Sequence, residues 1–91
     1  MDEVKYRYAR KLILWNLLNS KKWGGAHTHY KHAFAGLPRA EWGSKEVKRA
    51  FSDLVKEGKI IVKKTVEEPH ISLNPRLSKG IQAESNSSIN I

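Results

Sequence analysis

Three observations predict an α+β domain built mostly of helix. Two segments, Asp2 to Lys22 and Ser44 to Gly58, repeat apolar residues at the helical period with no proline inside them. After Gly58 the period changes to short β-branched runs, broken by Glu67-Glu68-Pro69 and again by Asn74-Pro75. The third observation is size: 91 residues with no cysteine can support one core, held by packing rather than by disulfides. Residues 1–81 are therefore expected to form a single domain. Residues 82–91 are expected to be a disordered tail, since Glu84 to Ile91 holds three Ser and two Asn.

The first helix is expected from Asp2 to about Lys22, opening on two acids that suit the positive end of the helix dipole and closing on Lys21-Lys22 before Gly24-Gly25. Val4, Tyr8, Leu12 and Trp15 fall on one stripe of it, and Ala9, Ile13 and Leu17 on a neighbouring one. Trp15 is accordingly placed in the core. Because Leu14 and Leu18 point elsewhere again, the second half is apolar nearly all round, which suggests a covered second surface and a homodimer through this helix. Thr28 is read as the cap of a short second helix through Phe34, closed by Gly36, with Tyr30, Ala33 and Phe34 facing inward. Ser44 then caps a third helix whose Val47, Ala50, Phe51, Leu54 and Val55 lie on one side, with Gly58 as its stop. Lys59 to Thr65 and His70 to Leu73 make a β-hairpin around the Val66 to Pro69 turn, and Arg76 to Ala83 adds a helical turn.

Charge narrows the function classes. There are 17 Lys and Arg against 9 Asp and Glu, a net of +8 with neutral histidines, so an anionic partner is expected. The longest apolar run, Leu12 to Leu18, is too short to span a bilayer. A Met1-Asp2-Glu3 start lacks the basic and apolar regions of a secretory signal, so the expected location is cytoplasmic. No nucleophile elbow or phosphate-binding glycine loop is present, so no enzyme and no cofactor is expected. Glu41, Glu46, Glu57, Glu67 and Glu68 are read as solvated surface charge.

Three helices followed by a two-stranded hairpin is the element order of a winged helix-turn-helix domain. In detail, His27-Thr28, Gly36-Leu37-Pro38, Leu54, Glu57-Gly58, Lys63 with Thr65, and His70 with Ser72-Leu73-Asn74-Pro75 resemble the pattern of small archaeal winged-helix domains over roughly residues 26 to 75. That resemblance implies double-stranded DNA binding and transcription regulation. The sequence departs from the pattern at Arg39 to Gly43, with Trp42, and in the acidic Glu67-Glu68 tip of the wing.

With the apolar stripe of the third helix turned inward, the opposite side shows Lys45, Arg49, Ser52 and Lys56, flanked by Lys48 on one side and by Glu46 and Asp53 on the other. Such a face fits the major groove, with Arg49 at its centre as the base-reading residue and Lys45 and Lys48 on phosphates. The bland reading is a solvated face with an Arg49 to Asp53 surface pair. Lys63 and Lys64 on the hairpin are expected to straddle the phosphate backbone while the acidic tip stays clear; alternatively they guard an edge strand. His27, His29, His32 and His70 lack a carboxylate or thiolate to complete a tetrahedral set, so no metal is expected. Trp23 and Trp42 either cover the core edge or stack on bases. A protein-interaction module and a structured-RNA binder are the alternative functions.

Overall fold

Asp2 opens the first helix through its side chain, which accepts hydrogen bonds from the backbone N–H groups of Val4 and Lys5 at 3.0 and 3.1 Å. The computed structural model describes residues 2–86. Helix α1 runs Glu3–Asn19, ending before the expected Lys22. Lys21 then takes a left-handed φ of 55°, uncommon for a residue with a side chain. The chain turns there and Trp23 bridges to Leu73.

The remaining elements are strand β1 (Thr28–His29), 3-10 helices at Tyr30–Phe34 and Arg39–Glu41, helix α2 (Lys45–Lys56), strands β2 (Ile60–Lys63) and β3 (His70–Leu73), a 3-10 turn at Pro75–Leu77, and helix α3 (Ser78–Asn86). The protein is thus α+β and mostly helical, with a small antiparallel sheet. The sheet order is β1-β3-β2. Thr28 pairs with Ile71 and Ile60 with Leu73, so the strand latest in the chain lies in the middle. Its central position explains why Ile71, Ser72 and Leu73 are all buried.

Two expectations about the second segment need correction. Thr28 does not cap a helix; it is a strand residue, and its hydroxyl lies 2.6 Å from His32 Nδ1. The helical turn starts at Tyr30 and is capped by His29, whose Nδ1 accepts from the Lys31 N–H. A strand of two residues is too short for period-2 alternation to show in sequence.

α1 packs mainly on α2 and α3. Its buried residues are Ala9, Arg10, Ile13, Leu14 and Leu17, which together with Val47, Ala50, Leu54, Ile60, Ile71, Leu73 and Ile81 form most of the core. Trp15 is not in it. The Ala9-Ile13-Leu17 side is covered, and the parallel stripe is left at the rim, with Val4 and Leu12 half-buried and Tyr8 41% and Trp15 46% exposed. Trp23 and Trp42 are partly buried against the core.

The segment after residue 81 also differs from expectation. Gln82 to Asn86 continue α3, and Ser85 is buried. The rest of the expected tail, residues 87–91, lies outside the described residues. Among the described residues no helix is long and apolar enough to cross a membrane.

Candidate nucleic-acid interface

α2 holds its groups in three sectors. Ser44 caps it by accepting from the Val47 N–H at 3.4 Å, and at about 100° per residue its side chains then separate by face. Val47, Ala50 and Leu54 point into the core. Glu46, Asp53 and, just past the helix, Glu57 face α1, and each meets a donor there: the Asp2 N–H reaches Glu46 at 3.0 Å, the Tyr6 hydroxyl donates to Asp53 at 2.6 Å, and Arg10 grips Glu57. These bonds hold the three carboxyl groups below their usual pKa range, with the hydrogen bond from that partner as the main cause in each case. The outward sector carries Lys45, Lys48, Arg49, Ser52 and Lys56, all exposed.

Sequence reasoning missed the residue that organises this separation. Arg10 Nη1 and Nη2 donate to the two oxygens of Glu57 at 2.7 and 2.6 Å, while Nε and Nη2 donate to Glu84 on α3 at 2.6 and 3.0 Å. Lys59 joins the cluster at 2.7 Å from Glu84. Burial pushes the Glu84 carboxyl up, but the hydrogen bonds from Arg10 and Lys59 outweigh it and hold its pKa below the usual range. The available signal was positional: Arg10 shares a stripe with Ile13, Leu14 and Leu17 at spacings of three, four and seven. A cation on the apolar stripe requires buried partners.

The acids read as solvated charge are mostly engaged. Glu41 pairs with Lys5 at 2.5 Å, Glu57 and Glu46 bind α1, and Glu68 folds back from the hairpin onto His29 and Lys31. Glu68 is also fixed through its backbone, whose carbonyl accepts from the Thr65 hydroxyl at 2.5 Å. The acidic tip is thus partly neutralised, with Glu67 still exposed. The surface pair weighed for Arg49 is present, at 3.6 Å from Asp53, and the Arg49 side chain remains 62% exposed.

Lys63 and Lys64 are exposed on the hairpin. Side chains alternate along β2, so Lys63 lies on the face opposite Ile60 and Val62. It lies close enough to His27 to contribute to that residue's lowered pKa, after partial burial and ahead of His70 and Lys22. His27 and His70 approach Nδ1 to Nδ1 at 2.7 Å, which requires at least one neutral ring. His29 spends both nitrogens, on Glu68 and on the Lys31 N–H. Among the described residues no group of three or more His, Cys, Asp or Glu side chains is placed to hold a metal. Trp42 packs on Phe34 with ring centroids 5.4 Å apart and donates its indole N–H to the Leu37 carbonyl.

No family model matches the chain, nor does any curated protein or solved structure.

Proposed function

We propose that the protein is a winged helix-turn-helix domain that binds double-stranded DNA and regulates transcription, with α2 in the major groove and the β2–β3 hairpin as its wing. The observation that carries this reading is the sorting of charge on α2. All three acids beside the helix are drawn to α1, and five exposed donors are left on the side away from the core. Arg49 reads a base edge, Lys45, Lys48 and Lys56 meet phosphates, and Ser52 donates within the groove. Lys63 and Lys64 reach flanking phosphates from the hairpin, and the folded-back Glu68 lessens the repulsion of the tip. The strand order, with β1 added outside β3, suits the winged-helix reading.

An NMR titration with random-sequence duplex DNA tests this. Amide shifts are expected across Ser44 to Glu57 and on the arms of the hairpin, weakening as salt rises. Shifts confined to α1, or tighter binding to duplex RNA than to duplex DNA, defeat the reading. A second reading, docking of a protein partner or of a second copy through α1, is favoured by the exposed Tyr8 and Trp15. Sedimentation of the free protein as a dimer that Trp15→Glu dissolves supports the second-copy form.

A further inference from the structure

Between α2 and the hairpin the surface folds into a cleft of about 390 Å³. Its walls are Tyr30, Phe34, Trp42 and Phe51, with Val62 and Pro69 closing the hairpin side, and Lys48 is the charged residue among them. Phe34 anchors the aromatic wall, with ring centroids 5.4 Å from Trp42, 5.9 Å from Phe51 and 6.2 Å from Tyr30. The volume lies within the roughly 300–1,000 Å³ of small-molecule sites.

The lining also selects among occupants. The indole N–H of Trp42 is spent on the Leu37 carbonyl at 3.1 Å, which leaves the Tyr30 hydroxyl and the Lys48 ammonium as the side-chain donors of the lining. Two such donors cannot satisfy the several polar edges of a nucleobase or sugar, and each group left unpaired against the rings costs about 1–3 kcal/mol. A cation is repelled by Lys48 and by Arg39, whose guanidinium lies 5.5 Å from the centroid of the Trp42 ring. Three of the surrounding acids are engaged elsewhere: Glu68, next to Pro69, is held by His29 and Lys31, and Glu46 and Asp53 are on the α1 side of the helix. We propose that this cleft binds a small aromatic carboxylate, its ring against Phe34, Trp42 and Phe51 and its carboxylate on Lys48. This holds for the protein free of nucleic acid and does not rest on the duplex-binding reading.

Naphthalene-2-carboxylate is a suitable probe, followed by NMR on the full chain without DNA, with naphthalene-2-carboxamide and AMP in parallel. The expected result is saturable shifts at Tyr30, Phe34, Phe51 and Val62, with the carboxamide binding more weakly. Lys48→Gln is expected to weaken the carboxylate about fivefold and leave the carboxamide unchanged. Both Lys48 and Val62 are exposed, so Val62→Glu keeps the fold and is expected to abolish carboxylate binding through repulsion. Equal affinity for acid and amide, displacement by AMP, shifts at Tyr8 and Trp15 instead of the cleft, or no saturable shift at millimolar probe each overturn the proposal.

Discussion

Arg10 is 9% exposed and bonded to carboxylates that arrive from two other elements. Removing it takes the bidentate donor from Glu57 and two of the hydrogen bonds from Glu84, and leaves Lys59 as the cation shared between them. Arg10→Met is therefore expected to lower the stability measured by urea unfolding by about 2–3 kcal/mol, less than a fully enclosed pair because Glu57 still reaches water. A change within 0.5 kcal/mol would show that the methionine repacks at no cost. Arg49 is the opposite case, an exposed side chain whose 3.6 Å pair with Asp53 is worth only about 0.3–0.5 kcal/mol and is easily given up. Under the proposed function, Arg49→Ala relaxes preference at one base pair by about 1–3 kcal/mol, whereas Lys63→Ala weakens all sequences and lowers the salt slope by about one. Mobility shifts that ignore both changes contradict the assignment. At this scale the sequence was uneven evidence. Arg49 is visible from periodicity alone, whereas the outward turn of Trp15 depends on which side α2 and α3 choose, and that choice is tertiary.

The helix between Ser44 and Gly58 was almost fully legible because cap, stripe and stop agree over about three turns. Its stop is Gly58, at φ 79°. A Cβ there would sit 3.7 Å from Leu77, an ordinary contact, so the cost of a side chain is conformational. Gly58→Ala is expected to destabilise by about 1 kcal/mol in thermal unfolding, and an unchanged midpoint would mean that the turn relaxes. The hairpin was legible too, from Ile60-Ile61-Val62 and the turn residues. β1 was not: two residues carry no pattern, and Thr28 suits both a cap and a strand. The end of α3 was hidden for another reason. Its Ser- and Asn-rich composition signals a loop, yet Glu84 is secured by Arg10, a partner 74 positions earlier. The exposure of the seven proposed contact residues is compatible with their role, and the folding back of Glu68 was beyond what local pattern could reveal.

Across the whole molecule, the ion pairs set the response to acid. Glu46, Asp53, Glu57 and Glu84 all titrate below their ordinary values of 3.8 or 4.5. Their contribution is complete above those values and is lost as pH falls through the lower folded ones. His27 is also depressed, from 6.5, so the fold favours its neutral ring and loses that contribution as pH drops below 6.5. Urea midpoints are expected to decline gently below pH 6.5 and steeply below about 4.5, and Glu84→Gln should flatten the steep part. A midpoint that is flat down to pH 3 contradicts this.

The strand order also governs when the molecule can fold. β1 and β2 touch only through β3, so neither has a partner until His70 to Leu73 exist. During synthesis the two early strands emerge with their edges open, and Trp23 waits as well for its bridge to Leu73. Helices α1 and α2 can collapse first. The sheet closes only once β3 has emerged, and a chain interrupted before residue 70 carries an unpaired edge that invites aggregation.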